Sequence, residues 1–148
     1  MSGAIAVIVT WNRLDRLREC LAAVGRQTSP VRGILVVDNA STDGTRGWLA
    51  VQTGADARLH VLTTQRNLGG AGGFFVGMAE ALSMQADWIW VMDDDTVPAD
   101  DALERLLAGI AAHPADQRPK VAASRVDWTD GLPHPMNWPN IRHGHRED

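Results

Sequence analysis

The sequence predicts an α/β domain in which a doubly wound, mostly parallel sheet is flanked by helices. Three observations predict it. Short β-branched runs alternate with helical periods in the order β-α-β-α-β-α-β-α, the signature of consecutive βαβ units. The first two strand segments are almost wholly apolar, as strands covered on both faces must be. The composition, 45% hydrophobic and 22% charged over 148 residues, suits one globular domain with its own core.

Ala4–Thr10 is the first buried strand. Asn12 offers an N-cap with Asp15 three residues on, and Leu14, Leu17, Leu21 and Val24 repeat at helical spacing. Ser29-Pro30 punctuates the connection to a second strand, Gly33–Asp38, which ends in a carboxylate. The turn cluster Asn39–Gly44 leads to a helix over Thr45–Gln52, and Leu59–Thr63 reads as strand three. Arg66-Asn67-Leu68-Gly69-Gly70-Ala71-Gly72-Gly73 is expected to be a glycine-rich loop. After it, Phe74, Met78, Ala81 and Leu82 mark the buried face of a third helix. Trp88–Met92 is strand four and runs straight into Asp93-Asp94-Asp95. Leu103, Leu106, Leu107 and Ile110 define a fourth helix that Pro114 stops, and Lys120–Ser124 is a candidate fifth strand. Residues 1–125 are expected to form the domain proper. Residues 126–148 read as a loop-rich tail opening a further region.

Charge and cysteine usage narrow the function classes. With 14 basic against 18 acidic residues, the net charge of −4 speaks against a general nucleic-acid partner. Cys20 is the single cysteine, so the chain has no internal disulfide or cysteine metal cluster, and a reducing compartment fits. No apolar run approaches the ~20 residues of a spanning helix, and Ala4–Thr10 lacks the basic flank of a signal peptide. The expectation is a cytoplasmic protein, with peripheral contact at the inner face of the cell membrane left open.

Four polar clusters follow the four strands: Thr10 with Asn12, Asp38, Arg66 with Asn67, and Asp93–Asp95. In open α/β sheets, ligands sit in the crevice beyond the carboxyl ends of the strands. Three adjacent carboxylates repel one another and call for a cation. On an extended segment Asp93 and Asp95 point the same way, which would let them share one hard ion, Mn²⁺ or Mg²⁺, with positions left for phosphates. The bland alternative is a solvated acidic turn capping the next helix. Asp38 can accept from a nucleobase imide or a ribose hydroxyl; its alternative is an Asx turn. Gly70 and its neighbours permit close backbone approach to a ligand or to another chain segment. They do not spell G-x-G-x-x-G and follow the third strand, so a dinucleotide fingerprint is a poor match. Trp88 and Trp90 read as core, whereas Trp11, Trp128 and Trp138 sit in loops where they can stack on a base or sugar.

Taken together, Thr10-Trp11-Asn12, Val36–Thr45, Arg66–Phe74 and Asp93-Asp94-Asp95 resemble the motifs of family 2 glycosyltransferases of the GT-A fold. The resemblance covers Ala4 to Ile110 and looks closest to bacterial galactofuranosyl- and rhamnosyltransferases of cell-wall or polysaccharide assembly. It implies that Thr10, Asn12 and Asp38 hold the base and ribose of a nucleotide sugar, UDP- or TDP-linked. It also implies that Arg66, Asn67, Gly70 and Asp94 lie along that ligand, and that Asp93 and Asp95 form the family's D-x-D site for Mn²⁺ or Mg²⁺. The metal would bridge the diphosphate and assist its departure. The implied activity is metal-dependent sugar transfer to a glycan or lipid-linked acceptor.

The family's catalytic base lies well beyond the D-x-D motif. Asp127 and Asp130 are the weak candidates here, and neither matches the family's pattern. His134 offers a further metal ligand, set against the reading that Pro133, Pro135 and Pro139 merely stiffen an exposed segment. The alternative function is a nucleotide-sugar-binding domain without turnover, because the acceptor half is missing.

Overall fold

Four parallel strands, β1 (Ala4–Thr10), β2 (Gly33–Asp38), β3 (Leu59–Thr63) and β4 (Trp88–Asp93), form one sheet in the order β3-β2-β1-β4. The helices are α1 (Leu14–Gly25), α2 (Thr45–Ala55), α3 (Gly69–Ser83) and α4 (Ala102–Ala111). The structure is a computed structural model that describes residues 3–128, 130 and 131. The chain divides into two units, Met1–Arg105 and Leu106–Asp148.

Strand order explains burial. β1 lies between β2 and β4 and is buried along its whole length, and β2 inside β3 is likewise fully buried. The registers Ile8↔Val36 and Ile8↔Met92 put apolar rows beside one another on each face. Because parallel crossovers are right-handed, reversing the strand order at β1/β4 carries α1 and α2 over one face and α3 over the other. Under α3, the residues Ile5, Val7, Val9, Leu35, Val37 and Ala81 form a buried cluster, with Phe74, Leu62 and Ile89 packed against it. β4 is an edge strand: Val91 is exposed, and Trp88 and Trp90 are half-buried rather than core.

Three expectations are corrected. The glycine run is not a loop, since α3 begins at Gly69. Its buried face is Gly73, Gly77 and Ala81, while Met78 and Leu82 are exposed. A β-carbon at Gly73 would stand 2.5 Å from Val9 Cγ1, and one at Gly77 would stand 2.7 Å from Val7 Cγ1 and 2.8 Å from Val37 Cγ2. The helix therefore lies against the sheet at a distance only glycine allows. Apolar periodicity could not see that face. Second, Asn12 does not cap α1: the cap position is Arg13, and no side chain of its own caps the helix. Instead Asp43 reaches from the β2–α2 loop, its Oδ2 accepting from the Leu14 N–H at 3.2 Å. Third, Lys120–Ser124 is not a strand. Val121 is 84% exposed, and a run with one β-branched residue forms no strand without a sheet edge to pair with.

Within Met1–Arg105, the start of α4 is tied to the α1–β2 connection. Gln27 is buried, accepts from the Leu103 N–H at 3.0 Å and donates to the Ala99 carbonyl at 2.7 Å. This linkage sets the path of the chain leaving the acidic turn after β4. In the second unit, Arg125 Nε pairs with Asp127 at 2.6 Å.

Candidate functional site

Since all four strands run the same way, the polar clusters after β1, β2, β3 and β4 share one edge of the sheet. The sequence order of the sheet reverses between β1 and β4, and crevices open at such switch points. Thr10 and Asp38 are paired in register at that edge, and both are buried.

The β2 end is built from neutral hydrogen bonds. Asp38 Oδ1 accepts from the Ser41 N–H at 2.9 Å. Asp38 Oδ2 is buried and has no hydrogen-bond partner; Arg46 Nε lies 3.8 Å away, beyond hydrogen-bonding range. Asn39, 2% exposed, uses its whole amide. Its Nδ2 donates to Asn67 Oδ1 at 2.9 Å and to the Gly69 carbonyl at 3.1 Å. Its Oδ1 accepts from the Leu68 N–H at 2.9 Å and lies 3.2 Å from the Thr64 hydroxyl, whose shorter contact is to the Arg66 carbonyl. One side chain thus holds the β3–α3 connection against the end of β2. Asn12, exposed and at φ 55, accepts from the Thr42 N–H at 2.7 Å, while its own N–H donates to Ser41 Oγ at 3.0 Å. Burial works against the charge of Asp43. Hydrogen bonds from the Thr45 hydroxyl and N–H and from the Leu14 N–H outweigh it and hold the carboxyl below its ordinary range.

The β4 end is charged. β4 stops at Asp93, and Asp94-Asp95 form a turn closed by the Thr96 N–H on the Asp93 carbonyl at 3.1 Å. The extended alternation expected through Asp95 therefore ends at Asp93. Asp94 turns inward, 4% exposed, and accepts from the Thr10 hydroxyl at 2.7 Å. Arg13 Nη1 lies 3.0 Å from Asp95 Oδ2 and 3.6 Å from Asp94 Oδ1. Burial, then the charges of Asp95 and Asp94, raises the Asp93 carboxyl above its ordinary range in spite of Arg13. Asp94 is also raised: burial exceeds the opposing pull of the Thr10 hydroxyl and Arg13. Burial, followed by the charges of these three aspartates, pushes the Cys20 thiol up to about 12.

The glycosyl transferase family 2 model matches residues 5–145. The chain belongs to that family. It is 42% identical over 106 residues to the galactofuranosyltransferase GlfT1 of Mycolicibacterium smegmatis, an alignment covering 72% of this chain and 34% of that protein. Among solved structures it is similar to the mannosyltransferase PcManGT of Pyrobaculum calidifontis in complex with GDP-Man and Mn²⁺. There the TM-score is 0.61 and the identity 26%, over 74% of this chain and 32% of that one. It is also similar to S. aureus TarS 1-349 in complex with UDP-GlcNAc, with TM-score 0.61 and 25% identity over 76% of this chain and 32% of that one. The chain spans about a third of the length of these relatives. Its α/β fold is that of the GT-A glycosyltransferases.

Family 2 membership gives the edge its context, and most of the residues singled out from sequence meet there. Thr10, Asp38, Asn12 and Asn67 are joined to it through the hydrogen bonds above, and Asp94 through Thr10. Arg66 is exposed, and its carbonyl accepts from the Thr64 hydroxyl at 2.8 Å. A β-carbon at Gly70 would meet nothing within 4 Å, so no protein packing demands glycine at that position. Asp127 and Asp130 belong to the second unit. His134 and Trp138 lie outside the described residues. Among the described residues, no three or more His, Cys, Asp or Glu side chains are gathered as a metal set; the expected pair is smaller than that. Three residues escaped the sequence reading: Asn39, Asp43 and Arg13. Asn39 carried one signal, its place directly after a strand-terminal aspartate.

Proposed function

We propose that this chain is the nucleotide-sugar-binding portion of a glycosyltransferase. The transferase would move a sugar from a UDP- or TDP-linked donor to a glycan or lipid-linked acceptor of the cell wall or a surface polysaccharide. The observation that carries the reading is the shared edge. A buried carboxylate oxygen without a donor, Asp38 Oδ2, and an acidic turn with three carboxylates facing one cation both stand on the carboxyl edge of the sheet, the turn at the β1/β4 switch point and Asp38 on the far side of β1. A base or ribose supplies the donor that Asp38 lacks, and a diphosphate brings the ligands that complete a cation's shell. In this reading Thr10, Asn12 and Asp38 define the base and ribose end, and Arg66, Asn67, Gly70 and Asp94 flank the ligand.

The residues fit a divalent cation. The turn presents hard carboxylate oxygens, and among the described residues its three aspartates are faced by one cation, Arg13, which pairs with Asp94 and Asp95. Asp93 and Asp95 would hold Mn²⁺ or Mg²⁺, which when bound neutralises charge growing on the departing diphosphate. The chain's own residues keep the β2 end rigid through Asn39 and hold Asp94 inward through Thr10. Asp127 and Asp130 are the base candidates, and Asp127 is engaged by Arg125.

Among the described residues no helix is long and apolar enough to cross a membrane.

Calorimetry with UDP, TDP and GDP, with and without Mn²⁺, tests the proposal. UDP or TDP is expected to bind, and Mn²⁺ to tighten that binding at least tenfold, or about 1.4 kcal/mol. Asp95→Asn should remove most of the gain. Nucleotide binding unmoved by EDTA and by this substitution would overturn the metal assignment. Hydrolysis of UDP-sugars measured alongside separates the transferase from the binding domain.

A further inference from the structure

We propose that Arg13 is the resident counter-cation of the acidic turn: it occupies Asp94 and Asp95 until a divalent cation and a nucleoside diphosphate arrive together, and its guanidinium then moves to the diphosphate. The proposal rests on the metal reading above.

Geometry singles out Arg13. Its Nη1 spans one inward and one outward carboxylate, 3.6 Å from Asp94 Oδ1 and 3.0 Å from Asp95 Oδ2, where the Asp94 side chain is 5% exposed and that of Asp95 53%. Its position in the chain works against a purely structural role. Arg13 stands at the cap position of α1, where a cation opposes the helix dipole. The carboxylates, not the helix, therefore account for the guanidinium's location. The root of the side chain is fixed by Asn12, which is pinned to Ser41 and Thr42 at a left-handed φ of 55. The guanidinium end is open to solvent, the side chain being 56% exposed, and it is held at its tip by Asp95 and Asp94.

Exchange follows from relative strength. The Arg13–Asp95 pair, with both side chains more than half exposed, is weak and readily surrendered, and the contact to buried Asp94 is the longer of the two. A divalent cation brings twice the charge and binds carboxylate oxygens directly. A displaced guanidinium keeps its planar fork, which matches two phosphate oxygens at once, and a diphosphate on this cation lies within the same edge. Cation alone must therefore evict Arg13 with nothing in return. Cation with nucleotide evicts it toward a new partner, so the two ligands help one another and each penalises the other's absence.

Mn²⁺ affinity of the full chain, measured by electron paramagnetic resonance with and without UDP, tests this. Arg13→Gln is expected to bind Mn²⁺ alone about fivefold more tightly than the native chain, and to lose about fivefold of the enhancement that UDP confers on Mn²⁺. Arg13→Lys, which keeps the charge without the fork, should retain weak Mn²⁺ binding yet lose part of the enhancement. Thermal melting checks that each variant is folded, and the lysine variant carries the test if the glutamine one is not. Native-like Mn²⁺ affinity and coupling in Arg13→Gln would overturn the role of Arg13 and leave the metal reading standing. Absence of Mn²⁺ binding to native and variant chains alike would overturn both.

Discussion

Asp38 and Asp94 are both buried carboxylates at the ends of parallel strands, but their surroundings differ in kind. Asp38 sits beside a web of neutral donors and acceptors built on Asn39, Asn67 and Thr64; the Ser41 N–H holds its Oδ1, and among the described residues Arg46 is the one cation near it, 3.8 Å from Oδ2. Asp94 sits among charges, with Asp93 and Asp95 adjacent and Arg13 as the counter-ion reaching it. The neutral network around Asn39 is satisfied within itself and rigidifies what it touches, leaving Asp38 Oδ2, among the described residues, as the one buried acceptor beside it without a donor. A group of like charges is not satisfied within itself, and its geometry depends on whatever cation is present. The edge is thus preorganised at the β2 end and responsive at the β4 end, and the two ends divide recognition from charge handling.

The largest expected effect comes from breaking the neutral end. Asn39→Ala removes the bonds from Nδ2 to Asn67 and Gly69 and the bond from the Leu68 N–H, which loses its partner, while Asn67 Oδ1 keeps the Gly69 N–H; the cost is about 3 kcal/mol. Urea denaturation reads this directly. A loss below about 1 kcal/mol, no more than one ordinary hydrogen bond, would mean that the β2 end is held by packing instead.

The charged end should respond in the opposite sense. A raised Asp93 carboxyl means that the folded chain binds the proton more readily than the unfolded one. Its contribution is then favourable below the ordinary carboxylate range and is lost as pH rises through the raised pKa. At neutral pH the charge destabilises, so Asp93→Asn should stabilise the fold by at most about 1 kcal/mol after solvent screening, read as a raised melting temperature. The gain should fade as pH falls to about 3. A melting temperature that drops at pH 7 would show that the native charges are already balanced.

The smallest effect sharpens the comparison within the neutral end. Ala40 follows the Asn39 hub at φ 62, a left-handed conformation that glycine adopts freely. Its N–H is held by the Asp38 carbonyl at 2.8 Å, so the strain is imposed by the network. Ala40→Gly should stabilise by about 0.5 kcal/mol, the relief of strain exceeding the entropy added to the unfolded chain. A destabilised variant would remove that strain from the account.

Much of this architecture was legible along the chain. β1, β2 and β3 occupy the residues that the apolar runs predicted, and β4 extends one residue further, to Asp93. α2 continues past the predicted Gln52 to Ala55. The convergence of four polar clusters was legible too, because parallel strands necessarily deliver their carboxyl ends to one edge. The core face of α3 was not: Gly73 and Gly77 carry no hydrophobic signal, and their burial depends on how near the sheet comes. The capping of α1 was equally hidden, since Asp43 lies 29 residues from the Leu14 N–H that it receives.

Sequence alone determined the parts of this protein that depend on neighbours in the chain: strand length, helix period, and the polar residue placed after each strand. These follow from the geometry of two or four consecutive residues. Tertiary structure decided which carboxylate turns inward and which stays in water, because that choice is made by groups remote in the chain. Thr10 and Asp94 meet across 84 residues, and Arg13 meets Asp95 across 82. Burial, hydrogen bonding and charge at the edge are properties of such meetings, and no local pattern carries them.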